Sequence, residues 1–211
     1  MSTAQQLLSR KPRTEVAVFC REPDDASTLA ELRQKAAQAT AIAGRTIGKP
    51  PTTAQKKAAR EAEKAVDDFL AEVPTITFHL RAIGPKKMEA LLAKHPPTQE
   101  QIDAHEVERQ AENDALAAAG KADRIPALQW NPETFPPALI AKSTTRLVVT
   151  GDDGGEVDGS EITADVVTEM VMESEGGWSQ QDQAALINIC SALNQAGSGI
   201  ARDLVDRLGK G

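Results

Sequence analysis

The sequence predicts a mainly α-helical chain with a small β element, an α+β fold. Short strands bracket a projecting αα-hairpin, and a compact helical part closes the C-terminal side. Three observations predict this. Two short β-prone runs, EVAVFCR (Glu15–Arg21) and TITFHLR (Thr75–Arg81), stand on either side of a long helical region. That region holds two stretches of similar length joined by a Gly/Pro turn, the mark of an antiparallel helical pair. After residue 130 the chain turns apolar and compact, beginning with WNPETFPPALIAKS (Trp130–Ser143).

Taken in order, the first strand places Val16 and Val18 on one face and Ala17 and Phe19 on the other. A helix is expected over Thr28–Ala43, with Thr28 and Glu31 at capping-box spacing and Gly44 after its end. A second helix is expected over Thr53–Val73, opened by Thr52 and Gln55 and stopped by Pro74. The larger apolar residues Leu29, Leu32, Ile42, Val66, Phe69 and Leu70 are expected near the strands, so the hairpin should pack firmly at its base and weakly at its tip. The strand Thr75–Arg81 alternates Ile76, Phe78 and Leu80 with polar residues and can pair with the first, because the hairpin returns the chain to its start.

Pro85 opens a short helix, Lys86–Lys94, that buries Met88, Leu91 and Leu92 and ends at His95–Pro96–Pro97. Thr98 and Gln101 cap a charged helix over Gln99–Ala119, expected to be exposed. In the segment Trp130–Ser143 the prolines fix φ and remove donors, giving a rigid elbow, with Pro136 and Pro137 in a first helical turn. A strand follows over Arg146–Thr150, then a glycine-rich acidic loop, Gly151–Ser160, whose spacing does not match a calcium loop. An amphipathic helix over Thr163–Glu173 should turn Val166, Val167, Met170 and Val171 inward. Ser179 and Asp182 cap a core helix over Gln180–Gln195, and Ile200–Leu208 forms a last short helix. Three parts result: residues 1–97 (strand, hairpin, strand and short helix), 98–129 (a charged helical connector) and 130–211 (elbow and C-terminal helical part).

Composition narrows the function. The chain has 211 residues, a formal net charge of −7 and no tyrosine, so no basic surplus favours nucleic acid. Lys56–Lys57 and Lys86–Lys87 read as solvated helix faces. No apolar run approaches the roughly 20 residues that span a bilayer, and no signal-peptide core opens the chain, so a soluble cytoplasmic protein is expected. Cys20 and Cys190 are isolated and read as reduced buried thiols. His79, His95 and His105 have no partner at fixed spacing, and no nucleophile elbow, phosphate loop, dinucleotide or HExxH motif is present. No enzyme, cofactor or metal site is therefore expected. Aromatic residues make up only 3% of the chain, which singles out Trp130 and Phe135 at the elbow and Trp178 further on. Trp130, Phe135, Leu139, Ile140 and Trp178 are either core residues or anchors for a partner helix.

TITFHLRAI, MEALLAKHPPT, WNPETFPPALIA and WSQQDQAALINICSALN together resemble the tail assembly chaperones of long-tailed phages, most closely those of phages infecting actinobacteria. The likeness covers most of residues 14–196, and the elbow is its most specific part. The acidic loop Gly151–Ser160 is longer than the family pattern, and Met88 stands where an aromatic is common. The resemblance implies a non-enzymatic protein of the host cytoplasm that coats the tape measure protein, helps recruit tail tube subunits and is absent from the finished virion. It also implies a short and a frameshifted long form. The ending Leu208–Gly209–Lys210–Gly211 is compatible with a slippery codon run, so this chain is expected to be the short form, with its own long form or further copies as possible partners. The competing classes are a structural minor tail or head–tail connector protein and an unrelated cytoplasmic helical scaffold.

Overall fold

The computed structural model describes residues 12–44, 50–121, 125–173 and 178–195. Its elements are β1 (Thr14–Cys20), α1 (Pro23–Gly44), α2 (Thr53–Glu72), β2 (Thr75–Arg81), α3 (Pro85–Lys94), α4 (Gln99–Ala118), α5 (Phe135–Ser143), β3 (Thr144–Val149), β4 (Gly155–Asp158), α6 (Ala164–Val167) with a π-helical turn (Thr168–Met172), and α7 (Gln180–Gln195). The fold is mainly α with a small antiparallel sheet of order β1-β2-β3-β4. The helix expected over Ile200–Leu208 lies outside the described residues.

The sheet brings distant parts of the sequence together. β1 pairs with β2 in the register Phe19↔Ile76 and Ala17↔Phe78, as the returning hairpin requires. β2 pairs in turn with β3 through Phe78↔Leu147, so residues before 97 and after 130 share one sheet. The register shifts between His79 and Leu80, where the Thr145 hydroxyl donates to the His79 carbonyl at 2.9 Å. One face is apolar and buried: Ala17, Phe19, Phe78, Leu80 and Leu147. The other carries Val16, Thr77, His79 and Arg146, the alternation of an antiparallel sheet wetted on one side. α5 and α7 supply Leu139, Ile140, Leu186 and Cys190 to the same core.

The α1–α2 hairpin forms as expected, with one boundary correction. α1 begins at Pro23, not at Thr28, and the Thr28 hydroxyl donates to the Asp24 carbonyl within a helix already under way. Proline suits the first helical position, and Asp24 and Asp25 favour the positive end of the dipole. The Thr52 capping box at α2 is present in full. Leu29 is buried, whereas Ile42 lies 55% exposed, away from the sheet. At the base, Arg33 donates to the Val18 carbonyl at 3.0 Å and thereby satisfies an edge group of β1. Further along, Thr40 donates to Glu63 across the pair at 3.3 Å.

Two other expectations are corrected. The acidic stretch Gly151–Ser160 is a hairpin rather than a loop, because Gly155–Asp158 pairs with β3 as an edge strand. Past β4 the chain turns away at Gly159, whose N–H donates to the Thr145 carbonyl at 3.0 Å and where a Cβ would stand 2.5 Å from the Thr144 carbonyl oxygen. The helix expected over Thr163–Glu173 widens into a π turn, closed by Glu173 N–H donating to the Thr168 carbonyl at 2.8 Å. Val167 and Val171 are then fully buried and Val166 points outward.

Candidate functional site

The elbow is the centre of the fold. Of the nine residues of α5, eight are buried and Lys142 alone reaches solvent. Pro136 and Pro137 occupy the first turn, where missing N–H groups cost nothing. The entry is shaped by Asn131, whose side-chain oxygen accepts from the backbone N–H of Glu133 at 2.9 Å and of Thr134 at 3.2 Å. Gln101 of α4 donates to the same oxygen at 3.4 Å.

His95, in the turn after α3, locks to this entry. Its carbonyl accepts from Asn131 N–H at 2.9 Å, and its ring Nδ1 lies 3.0 Å from the Thr134 hydroxyl. The ring also sits edge-on to Phe135, with centroids 6.4 Å apart. Trp130 packs tilted against Phe135, with centroids 5.0 Å apart. The HPP turn and the elbow, separate in sequence, are one structural unit.

The structure takes the core alternative for four of the five candidate anchors. Phe135, Leu139 and Ile140 are buried under the sheet. Trp178 is buried in a three-ring cluster, 4.9 Å from Phe19 and 5.9 Å from Phe78. A side chain that fills the chain's own core has no face left for a partner. Trp130 is half-buried, and it alone of the five keeps an accessible edge.

One residue outside the candidate set holds the interior together. Asn194, near the end of α7, accepts from Ile83 N–H at 2.8 Å and donates to the Ser143 hydroxyl at 3.1 Å and the Cys190 carbonyl at 2.8 Å. It ties α7 to the exit of β2 and to the end of α5. Its position beside Leu193 at the end of the Trp-led helix was the only signal in the sequence, and it does not distinguish a junction residue from a C-terminal cap.

The ionisable groups form no concentrated centre. Burial pushes the Cys190 thiol up to about 12. The Cys20 thiol is also raised, first by burial and then by Asp25. Both are protonated at neutral pH, which makes them poor nucleophiles. His79 Nε2 lies 3.0 Å from the Arg146 guanidinium, which also pairs with Glu156 at 3.5 Å across the strands. No group of three or more His, Cys, Asp or Glu side chains among the described residues could hold a metal ion. No described helix is long and apolar enough to cross a membrane.

The polar surface next to the elbow has more shape. A groove of about 690 Å³ runs between α3, α5 and the β4–α6 turn, and a second of about 420 Å³ adjoins it between α3 and the end of β2. Arg81, Leu91, Lys94 and Lys142 line both. No protein-family model matches the chain, and no match to it was found among curated proteins or solved structures.

Proposed function

We propose that this chain is a tail assembly chaperone of a long-tailed phage. In this reading it binds the tape measure protein in the host cytoplasm, keeps its apolar helices from aggregating, helps recruit tail tube subunits and leaves before the tail is complete. It performs no catalysis. The observation that carries the proposal is where the resemblance falls. The segments most like the family, TITFHLRAI, the HPP turn, the elbow and the Trp-led helix, are β2, the His95 turn, α5 and α7, the parts that meet in one core. A likeness concentrated in residues that determine the fold supports a shared fold, and through it a shared role.

The surface also suits the role. The hairpin and α4 are long helices whose exposed large apolar groups, Ile42, Ile102 and Val107, stand singly among charged residues, which suits a protein that meets apolar helices and stays soluble by itself. The accessible edge of Trp130 is the candidate contact retained from the elbow.

The test is co-expression with the tape measure protein, followed by pull-down and a solubility assay. A soluble, co-purifying tape measure protein is expected. An insoluble, unbound tape measure beside a folded chain, together with detection of this chain in purified virions, would overturn the proposal in favour of a structural tail component.

A further inference from the structure

The two adjoining grooves form a basic patch on an acidic protein. Lys87, Ala90, Leu91 and Lys94 follow one another at helical spacing on α3, so both lysines rim a face on which Ala90 is exposed and Leu91, a core residue, shows only an edge. Arg81 at the end of β2 and Lys142, the one exposed residue of α5, complete the rim. None of these four cations has a salt bridge or side-chain hydrogen bond among the described residues. Asp158 borders the wider groove, but its carboxylate already accepts from the Ser160 N–H and hydroxyl at 2.8 and 2.6 Å. Unpaired cations around an apolar floor, on a chain of net charge −7, mark a surface for an acidic, partly apolar segment.

α4 is such a segment. It carries six carboxylates against the single guanidinium of Arg109, and none of its 20 residues is buried. Its inner line, Gln101, His105, Arg109, Asn113 and Leu116, is half-covered. That line faces the returning connector, to which Gln101 bonds at Asn131 and Asn113 bonds at Ile125. The opposite face presents Val107, 74% exposed, flanked at helical spacing by Glu100, Asp103 and Asp114. A helix without tertiary packing on that face gains little from its own chain.

We propose that α4 of a second copy of this chain lies in the basic groove, with Val107 over Ala90 and the edge of Leu91, and with Glu100, Asp103 and Asp114 toward Lys87, Lys94, Arg81 and Lys142. Exchange of α4 between two copies fills both grooves by one two-fold operation. The contact is a property of this chain alone and does not depend on the tape measure reading.

Sedimentation equilibrium of the full chain tests it. A dimer is expected at about 50 mM NaCl that weakens by about tenfold or more near 500 mM, where screening reaches only a few ångströms. The groove variant K87E/K94E and the helix variant E100K/D103K/D114K should each be monomeric, and circular dichroism checks that α4 stays helical in the second, where Glu100 lies in the first turn and Asp103 accepts from Gln99. Mixed, they should dimerise, since each then offers the other an oppositely charged helix and groove. A monomeric wild-type chain overturns the proposal, as does a dimer insensitive to both variants. A monomer whose capture of the tape measure protein is lost in K87E/K94E also overturns it, and assigns the groove to that partner instead.

Discussion

Two kinds of helix make up this protein, and they differ in what holds them. α5 buries eight of nine residues, while α1 and α2, with 22 and 20 residues, bury Leu29 and Ala59 alone. α5 is short, carries two prolines and would not form in water by itself, so its stability is that of the core around it. The hairpin helices pack on each other, and they and α4 add local devices: the capping boxes at Thr52 and Thr98, the Lys57–Glu61 and Lys64–Asp68 pairs and the Glu106–Arg109 pair. Exposed pairs of this kind contribute little each. The comparison teaches that the centre of the fold is specified by packing, and the arms by caps, side-chain pairs and contacts along the hairpin.

The largest expected effect breaks the centre. Leu139→Ala removes a fully buried side chain between sheet and helices and should cost about 2–5 kcal/mol. Ile42→Ala on the hairpin should stay within about 0.5 kcal/mol. Urea unfolding midpoints of the two variants check the contrast. Equal losses would mean that the hairpin is as firmly packed as the core.

Next come positions where the centre is fixed by polar geometry. Asn194→Ala leaves the Ile83 N–H and the Ser143 hydroxyl without their partner and should cost about 1–3 kcal/mol. Gly159→Ala drives a methyl group against the Thr144 carbonyl and should cost about 1–3 kcal/mol, measured by the same midpoints. A neutral result at Gly159 would show that the β3–β4 hairpin is free to shift.

In the arms, Thr98→Ala removes the hydroxyl that accepts from Gln101 N–H at 3.2 Å, a loss of about 1 kcal/mol of helix stability. The effect should appear as faster amide exchange in α4, with exchange in β2 unchanged, because the arm opens without the core. Parallel acceleration in β2 would join arm and core into one cooperative unit.

The elements legible in the sequence were those whose signals are local. Thr52, Thr98 and Ser179 sit where capping residues are needed, and the structure uses all three. Thr28 has the same spacing but lies inside a helix, and the stronger signal, Pro23 followed by Asp24 and Asp25, stands five residues earlier. β4 was not legible because its four residues hold one apolar side chain, Val157, and its pairing comes from β3 rather than from its own composition. The elbow was legible as a rigid segment, since prolines and large apolar groups coincide there. Whether Phe135 and Trp178 face inward or outward depends on His95 for the first and on Phe19 and Phe78 for the second, residues tens of positions away. The basic rim was hidden for the same reason: Arg81, Lys87, Lys94 and Lys142 come from three elements and look like isolated solvated charges until the sheet brings them together.

The smallest expected effect concerns the contact that pins the β3–β4 turn to the end of β1. Arg21 donates to Asp153 at 3.1 Å, across 132 residues of sequence. Gly151 beside it has φ +114°, so the turn holds a backbone shape that a side chain would strain. The hydrogen bond from Arg21 holds the Asp153 carboxyl below its ordinary value. A carboxyl with a depressed native pKa stabilises the fold above the unfolded pKa, near pH 4, and that contribution is lost as pH falls through the native value. Asp153 is exposed and Arg21 only half-covered, so the effect on global stability should be slight and should fade with salt. An NMR titration of the Asp153 carboxyl should give a midpoint below that of an unpaired aspartate, and Arg21→Gln should raise it. An unmoved midpoint would mean that the turn is held by its glycines and backbone alone, with the ion pair a consequence of the hairpin's position rather than one of its causes.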